Sequence, residues 1–552
     1  MRRLLPVLCL PLLLTAQEKI DTNANARIRQ EESERSQVMR IAHMLTDRYG
    51  PRLTGSPNYE AAAKWAVATL TEWGLKNARL EPWDFGHPGW TNERAAGYML
   101  SPAKERLQFE VLGWTPSTKG AVTASVVQVV PPQGPPVQQN PDAAGRGGRG
   151  GPMAQRTPRF QGPTKEELTQ WLEANKSRVA GKMVLMGKAE SVPVDFNPPR
   201  MRSDDAQLRT QYDPNNPAAG RGGRGGQRPP QDPNRLTAAQ VNEIVDPWLV
   251  ANRAVMRMND AGMTHGEIRA FQNRSYDTAK AVPTVVLRNE DFGRMERLLA
   301  DNDDVRLQFD IVNNTYPAGK TTYNVVAEIP GTDKADEVVM LGGHLDSWHA
   351  ATGATDNATG SATMMEAVRL IQTLGLKPRR TIRIALWSAE EQGLLGSKAY
   401  VEQHFGTYEK PKPEFDKCVA YFNVDSGTGR IRGASVFGPP EAAAVLRAAL
   451  APFEDLGVMG ASAARSRATG GTDSTSFNAA GLAGVGLSQD PIEYFGVTWH
   501  TNLDTYERIV PEDVKQASTV VAAAVWHMAN RDQPLPRFSK EAMPAPATEP
   551  AR

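Results

Sequence analysis

The chain has 552 residues, of which 63 are Lys or Arg and 62 are Asp or Glu, so its formal net charge is +1. Because the charges nearly cancel, no global electrostatic field favours a nucleic acid or an anionic surface as a partner. The length exceeds the usual ~150 residues of one domain, so we expect more than one domain. A hydrophobic content of 40% is enough for a sizeable core.

The first residues, MRRLLPVLCLPLLLTA, combine two arginines with an apolar stretch and small residues at its end. This pattern is typical of a secretory signal peptide, so we expect residues 1–16 to be removed and the protein to be secreted or periplasmic. The stretch is too short to span a bilayer, and we expect no membrane span later in the chain. Since Cys9 lies in this peptide, the mature chain would keep only Cys418 and have no intramolecular disulfide.

The next part of the chain divides into segments of different texture. Polar residues 17–35 predict a flexible lead-in, and residues 36–111 carry helical apolar patterns that begin the main domain. Short β-type runs separated by turns then predict a β-rich insert at 112–290. Two Gly/Arg-rich segments, 132–162 and 213–235, interrupt this insert, and each contains AAGRGGRGG. We interpret them as surface loops rather than as RNA-binding segments, because they hold few arginines in a chain expected to be exported.

Residues 291–533 alternate strand-like and helix-like segments. Runs such as EVVMLGGHLD, TIRIALWSA and CVAYFNVDS are nearly continuous apolar stretches of strand length, as in strands buried on both faces. We therefore predict an α/β fold with a mostly parallel central sheet that helices cover on both faces. Ligands bind outside the carboxyl ends of such strands. The proline-rich tail, residues 534–552, predicts disorder.

Five residues of metal-binding type each follow an apolar run: His344, Asp356, Glu391, Asp425 and His500. Neutral imidazole and carboxylate are ligands that zinc accepts. Two histidines and three carboxylates are too many for one tetrahedral zinc that keeps an open position. They fit two Zn²⁺ ions per chain, each with one histidine and one terminal carboxylate, that share a bridging carboxylate. This set of ligands predicts a hydrolase.

Further acidic residues flank these candidates. Glu390 and Glu391 follow TIRIALW directly, and because neighbouring side chains diverge, we assign Glu391 as a ligand and Glu390 as the general base. Asp346 lies two residues after His344 in an extended run, so both side chains face the same way. The Asp346 carboxylate can then hold the second imidazole nitrogen of His344.

Two aspartates leave alternatives open. Asp356 lies in the glycine-flanked turn GATDNATG, where a bridging carboxylate would be held tightly, but an Asx turn or a helix cap explains it equally well when it is taken alone. Asp504 follows His500 by four residues and either orients the His500 ring or caps the next turn.

The segments GGHLDSW, GATDNATG, LWSAEEQG, NVDSG and WHTNLDT match, in order and spacing, the motifs of the co-catalytic di-zinc aminopeptidase-type metallopeptidases, and the chain resembles that family. GLKPRRTIRIALWSAEEQG and GTDSTSFNAAGLAG are most similar to its plasma glutamate carboxypeptidase-like members, which are dipeptidase-like and carry a protease-associated domain insert. GPRLTGSP and the β-rich insert extend the resemblance across most of the mature chain. The stretch YFGVTWHTN differs from the histidine-rich equivalent in these relatives.

The resemblance implies a role for each candidate. His344 and Asp425 would hold one zinc, Glu391 and His500 the other, and Asp356 would bridge them. It also implies that Glu390 is the base and that Asp346 is the partner of His344. A cis peptide bond is implied after the bridging aspartate, between Asp356 and Asn357.

We therefore expect a secreted zinc exopeptidase or dipeptidase that hydrolyses short peptides, with the insert shaping the entrance. A single-zinc, glutaminyl cyclase-like acyltransferase is an alternative, but it would not need all five ligands. A non-catalytic, receptor-like ectodomain is another, although a scaffold has no need of a paired base and ligand. Aminopeptidase and carboxypeptidase activity both stay open, as do a monomer and a homodimer.

Overall fold

The computed structural model describes residues 18–137, 160–192, 194, 196, 201–216, 232–273 and 275–546. The predicted signal peptide and the centres of both Gly/Arg-rich segments lie outside these described residues. Within the described ranges, no helix combines the length and the apolar character needed to cross a membrane.

The helices, in chain order, are α1 Thr22–Arg35, α2 Val38–His43, α3 Pro57–Glu72, α4 Lys165–Val179, α5 Asp205–Tyr212, α6 Ala238–Ala251, α7 Asn289–Ala300, α8 Thr359–Thr373, α9 Leu395–His404, α10 Pro440–Leu450, α11 Ser474–Ala480 and α12 Pro511–Asn530. The strands are β1 Lys76–Asp84, β2 Gly89–Ser101, β3 Glu105–Arg106, β4 Phe109–Val111, β5 Val122–Val129, β6 Met183–Met186, β7 Met256–Asp260, β8 Thr284–Leu287, β9 Arg306–Tyr316, β10 Thr321–Ile329, β11 Lys334–His344, β12 Arg380–Trp387, β13 Gly406–Thr407, β14 Lys410–Pro411, β15 Cys418–Asn423, β16 Ile431–Phe437, β17 Ala461–Ala464 and β18 Gly484–Gln489.

The first eight-stranded sheet has the order β1-β10-β12-β11-β15-β18-β16-β17. Its four central strands, β12, β11, β15 and β18, are parallel. Antiparallel pairs flank them, β1 with β10 and β10 with β12 on one side and β18 with β16 on the other. The prediction of a mostly parallel sheet is therefore wrong, because the sheet is mixed. Apolar runs report burial on both faces but not direction, and the antiparallel β10 and β16 are as buried as their parallel neighbours.

Helices cover both faces of this sheet, as predicted. Alternate residues of β12 show the two faces, because Ile382 and Ile384 join one core cluster and Trp387 joins another. The first cluster includes most of α8 and α12, and the second includes Tyr400 of α9 and Phe477 of α11. The carboxyl ends of the parallel strands are thereby left as the open edge between two helical layers.

The second eight-stranded sheet has the order β3-β2-β9-β5-β6-β7-β8-β4 and is also mixed. Strands β5 to β8 are parallel, and β2 pairs antiparallel with β9. Helices α4 and α6 pack on it through an apolar cluster that includes Leu168 and Leu249. Strands β2, β3, β4 and β9 lie outside the predicted insert 112–290, so the second sheet includes strands from both flanks of that segment.

Residues 17–35, for which we expect a flexible lead-in, instead include helix α1. Ile28 is fully buried against the first sheet's helices. The buried carboxylate of Glu31 pairs with Arg369 of α8 at 3.1 Å. The segment is polar, so its composition suggests a solvated chain, but its charged side chains find partners on another helix rather than in water.

The tail also differs from expectation at its start. Within residues 534–552 the side chains of Leu535 and Phe538 are buried. The Phe538 ring packs edge-on against Phe437, with the ring centroids 5.3 Å apart. Proline-rich composition predicts the absence of regular structure, and the first part of this tail has none, but two apolar side chains still anchor it to the domain.

Candidate metal centre

The parallel strands bring several of the predicted ligands to one edge. His344 is the last residue of β11, and Asp425 follows the end of β15 by two residues. Glu390 and Glu391 follow the end of β12. Because β12, β11 and β15 are adjacent and parallel, their carboxyl ends meet at the same edge. The turn before α8 adds Asp356, and a loop before α12 adds His500.

Asp356 lies between the two histidines. Its Oδ1 is 3.1 Å from Nε2 of His344, and its Oδ2 is 3.1 Å from Nε2 of His500. A second carboxylate accompanies each imidazole, Asp425 Oδ1 at 3.2 Å from His344 and Glu391 Oε2 at 2.9 Å from His500. All five predicted ligands thus converge in two groups that share one carboxylate.

The donor set fits a metal better than a network of hydrogen bonds. Of the four short contacts between histidine and carboxylate, only that of His344 with Asp425 has the geometry of a hydrogen bond. Among the described residues, no group donates a hydrogen bond to the buried Asp356 Oδ2 or Glu391 Oε1. Buried carboxylates without partners are costly unless a cation compensates them. His344, Asp356 and Glu391 each offer a ligand atom within 4.8 Å of the others, as do His344, Glu390 and Asp425.

The crowding of charges shifts the pKa values of the protein groups. Burial raises the pKa of Glu390 well above its ordinary range and that of Glu391 to about 7. Burial disfavours a charged His344, but Asp425 and Glu390 outweigh it and raise the pKa of that imidazole. Burial is likewise outweighed at His500, where Glu391 and Asp356 raise the pKa to about 10. The centre therefore has an excess of negative charge, which favours a cation.

Asp346 lies beside His344, as predicted, but its contacts differ from the prediction. Nδ1 of His344 is 3.0 Å from the backbone oxygen of Asp346 and 3.7 Å from its carboxylate. The carboxylate accepts hydrogen bonds from the Thr54 hydroxyl at 3.1 Å and from the backbone amides of Glu390 and Glu391 at 3.2 and 3.4 Å. The backbone of Asp346 therefore orients the ring, and its side chain holds the turn that carries both glutamates.

Asp504 takes neither of the two roles expected for it. Its carboxylate accepts hydrogen bonds from the backbone amides of Thr355 and Asp356. It does not orient the ring of His500, whose Nδ1 is buried without a partner among the described residues. Asp504 thus holds the turn that presents Asp356. In the same turn, the cis peptide bond expected between Asp356 and Asn357 is confirmed.

Arg52 is a residue of this region that sequence reasoning missed. Its side chain is fully buried and donates to four backbone oxygens, of Leu345 and Leu45 at 2.6 Å, Thr352 at 2.8 Å and Gly353 at 3.0 Å. Burial lowers the pKa of the Arg52 guanidinium to about 10. Arg52 therefore ties the end of β11 to the turn before α8. The segment GPRLTGSP, which the resemblance to the family picks out, was the only signal for it.

Asp473 was also missed. It is fully buried, and neither carboxylate oxygen has a hydrogen-bond partner among the described residues. Burial raises its pKa to about 7, and the negative charges of Asp425 and Asp346 add to this effect. It therefore lies near the metal centre, in the segment GTDSTSF, and increases the negative charge there.

The second sheet's domain contacts the loop that carries His500. The ring of Phe271 is edge-on to His500 and to Trp348, with centroids 5.4 and 5.3 Å apart. Arg269 donates from Nε to the backbone oxygen of Trp499 at 3.1 Å. A cavity of about 380 Å³ lies between this domain and the metal centre, with Glu391 and His500 in its wall.

Comparisons with known proteins show which proteins this chain resembles. Residues 324–525 match the model of peptidase family M28. Carboxypeptidase Q of Mus musculus is 27% identical over 497 residues, which are 90% of this chain and 86% of that protein. The Homo sapiens carboxypeptidase Q is 26% identical, with 90% of this chain and 85% of that protein covered.

Solved structures give the same result. A peptidase M28 precursor from Shewanella amazonensis has a TM-score of 0.62 at 25% identity, with 94% of this chain and 99% of that chain covered. A zinc aminopeptidase from Bacillus subtilis has a TM-score of 0.53 at 17% identity, covering 90% of this chain and 95% of that chain, and it supports the fold alone.

The fold and the site together define a metallopeptidase. All five predicted ligands lie within the matched residues 324–525. That segment matches the model of the M28 peptidases, and the chain is similar over nine-tenths of its length to metallopeptidases of the aminopeptidase type that its motifs resemble.

Proposed function

We propose that the protein is a secreted, zinc-dependent exopeptidase or dipeptidase that cleaves short peptides with the help of two metal ions. One observation carries this proposal: the two oxygens of Asp356 each face the Nε2 atom of a different histidine, at 3.1 Å. A carboxylate placed in this way suits two cations a few ångströms apart. A single-metal site would not need it.

Five residues would hold the two ions. His344 and Asp425 would hold one, His500 and Glu391 the other, and Asp356 both. Imidazole nitrogen and carboxylate oxygen are ligands that zinc accepts, and the buried oxygens without hydrogen-bond partners support such an occupant. Bound zinc supplies Lewis acidity, which polarises a carbonyl and lowers the pKa of a water toward ~7.

Glu390 would act as the general base. Its carboxylate lies in one cluster with His344 and Asp425, beside the place where water and substrate would meet. There it would take a proton from the attacking water and pass it to the nitrogen of the leaving amine. The carboxylate of Asp346 would keep Glu390 in position, because it accepts a hydrogen bond from the backbone amide of Glu390.

The domain built on the second sheet would limit the length of the substrate. Phe271 of this domain lies against His500, so the metal centre has a wall on that side. The cavity of about 380 Å³ is at the small end of the ~300–1,000 Å³ range of ligand sites, which favours short peptides. We propose that this domain is the protease-associated insert that the resemblance implies, and that the N-terminal segment directs export.

A substitution at Glu390 tests the proposal. Glu390→Gln keeps the size of the side chain but removes its ability to accept a proton, so we expect kcat on dipeptides to fall by ~10²–10⁴-fold. Zinc content should stay at two per chain, because this residue is not among the proposed ligands. The matched control is Glu402→Gln on the exposed face of α9, which should leave activity unchanged.

The result has clear alternatives. Full activity of Glu390→Gln would exclude it as the base, and a content of one zinc per chain would contradict the bridging role of Asp356. A wild-type protein that holds two zincs but cleaves no dipeptide would contradict the proposed substrate class.

A further inference from the structure

The cavity beside the metal centre has two walls of different chemistry. One wall contains Glu391, His500 and Trp348 of the peptidase domain. A polar wall comes from the domain of the second sheet, where α6 and β7 contribute Asn242, Asp246, Arg257 and Asn259. Leu112, Phe271, Gln272 and Asn273 of the same domain complete the lining. A ligand that reaches the metal centre through this cavity therefore faces the side chains of the polar wall.

Arg257 is the centre of the polar wall and is held rigidly. It is about nine-tenths buried. Its Nε donates to Asn259 at 2.9 Å, one terminal nitrogen to Asp246 at 2.5 Å, and the other to Asn242 at 2.9 Å. The spacing of the three partners lets them all reach Arg257. Asn242 and Asp246 are one turn apart and share a face of α6, and Asn259 is two residues from Arg257 and shares its face of β7.

The wall offers hydrogen-bond donors rather than acceptors. A guanidinium has five N–H groups, and three of those of Arg257 are used within the cluster, so two are left. The side-chain oxygens of Asn242 and Asn259 point to Arg257, so their NH₂ groups point away from it. No described group accepts a hydrogen bond from either NH₂ group. Beside these donors, the second oxygen of Asp246 and, elsewhere in the lining, Oδ1 of Asn273 are acceptors without a donor among the described residues.

We propose that Arg257, Asn242 and Asn259 form the subsite for the C-terminal carboxylate of a short peptide whose scissile carbonyl lies at the metal centre. A carboxylate accepts hydrogen bonds through both oxygens and suits the planar fork of an arginine. Asp246 fixes that fork and balances its charge while no substrate is bound. This inference rests on the proposed peptidase function and extends it, because the second sheet's domain would then read the free carboxyl end of the substrate.

The candidate ligands Glu391 and His500 line the same cavity as Arg257, and the cavity has a volume of about 380 Å³. A short peptide that fills it would therefore contact both the metal centre and the polar wall, and its small volume leaves little room for a long chain. The substrate class that follows is peptides with a free carboxyl group within one or two residues of the cleaved bond.

The test compares a dipeptide as the free acid with the same dipeptide as the C-terminal amide. The amide replaces one accepting oxygen with a donating NH₂ group, which would face the donors of the wall. We expect the wild type to prefer the free acid by about 10- to 100-fold in kcat/KM, mainly through KM. In Arg257→Gln, kcat/KM for the free acid should fall by a similar factor, and kcat/KM for the amide should fall much less, because the amide is neutral and keeps only one accepting oxygen.

Two further variants make the result specific. Arg288→Gln is the control, because Arg288 also pairs with an aspartate in this domain, Asp291 at 2.9 Å, but lies outside the wall of the cavity. It should leave the preference unchanged. If Arg257→Gln does not fold, Asn259→Ala removes one donor while the ion pair of Arg257 with Asp246 stays, and the preference should fall at least threefold.

Each failure has its own signature. A wild type that cleaves free acid and amide equally well would overturn the subsite, as would an equal loss on both substrates in Arg257→Gln or no loss in Asn259→Ala. A two-zinc wild type that cleaves neither peptide would instead overturn the proposed function on which the subsite rests.

Discussion

The carboxylate of Asp504 accepts hydrogen bonds from the backbone amides of Thr355 and Asp356, at 2.6 and 3.0 Å. Asp504 is buried, so water does not compete for these bonds. Since its two oxygens take the amides of the turn, the side chain of Asp356 stays directed at the histidines. Asp504 follows His500 by four residues, and it thereby connects the loop of one proposed ligand to the turn of another.

We expect Asp504→Ala to weaken zinc binding by about 10–100-fold, the usual cost of removing a group that orients a ligand. The variant leaves two backbone amides without an acceptor and releases the turn at Asp356. The measurement is zinc content after dialysis against a graded series of chelator concentrations. Asp504→Asn keeps one accepting oxygen, so its zinc retention should lie between those of the wild type and of Asp504→Ala. Equal zinc retention in wild type and Asp504→Ala would show that the turn at Asp356 keeps its conformation without Asp504.

The loop that carries His500 is also held from the second sheet's domain. Arg269 donates to the backbone oxygens of Trp499 and Phe495 and lies over the Trp499 ring, 5.0 Å from its centroid. The backbones of Arg269 and Thr501 also form an isolated antiparallel β-bridge. Burial lowers the pKa of Arg269, but the residue stays charged at neutral pH because an arginine begins from a very high value.

We therefore expect Arg269→Leu to loosen the loop of His500 and to speed the loss of zinc to a chelator. The effect should be uneven, because only one of the two proposed sites includes His500. Release of zinc should become biphasic, with one ion lost faster than in the wild type and the other at an unchanged rate. Arg94→Leu is a control at an exposed ion pair of the second sheet. Identical release from Arg269→Leu and wild type would exclude the contact as a support for the site.

The sequence was sufficient for the part of the site that strand order determines. His344 and Asp425 follow apolar runs, and once these runs are parallel neighbours, their ends must meet. The contacts of Asp504 and Arg52 were not predictable in this way, because they join backbone groups far apart in the chain. A hydrogen bond between a side chain and a distant backbone group leaves no periodic pattern in the sequence.

Two features of the fold were predicted wrongly for a related reason: the outer strands are antiparallel, and the lead-in, residues 17–35, includes a helix. An apolar run reports how much of a strand is buried, and β10 is as buried as β11 although it pairs antiparallel with β12. Helix α1 has few apolar residues, and its position depends on ion pairs with α8 such as that of Glu31 with Arg369. Composition alone cannot reveal partners supplied by another helix.

Cys418 should be inert in the folded protein. It is the first residue of β15, and its side chain is almost fully buried. Burial raises the pKa of its thiol to about 11, so little thiolate exists near neutral pH. We expect no reaction with a thiol reagent at pH 8 until denaturant is added. Rapid labelling of the native protein would contradict the burial of β15.

The last prediction concerns the pairing of α1 with α8. Glu32 of α1 interacts with the fully buried Glu366. Its Oε1 accepts a hydrogen bond from the Ser36 hydroxyl, and its Oε2 has no hydrogen-bond partner among the described residues. Glu31 and Arg369 are the other charged groups of this contact, and Arg369 is engaged by Glu366 at 2.7 Å. Burial, together with the negative charge of Glu366, raises the pKa of Glu32 to about 9.

The sign of the pH effect follows from this shift. The pKa of Glu32 is higher in the folded protein than its ordinary value of 4.5, so the folded state binds the proton more tightly than the unfolded state. The stabilisation is fully present below about pH 4.5 and is lost as the pH rises toward 9. Glu32→Gln imitates the protonated form and should avoid this loss.

We therefore expect Glu32→Gln to increase the free energy of unfolding at pH 8.5, by on the order of 2 kcal/mol, and to leave it nearly unchanged at pH 5. Urea denaturation of both proteins at the two pH values measures the difference. Glu34→Gln, at an exposed position of the same helix, should show no such dependence on pH. A change of equal size at both pH values would mean that Glu32 is already ionised in the folded protein, with Arg369 rather than a proton compensating it.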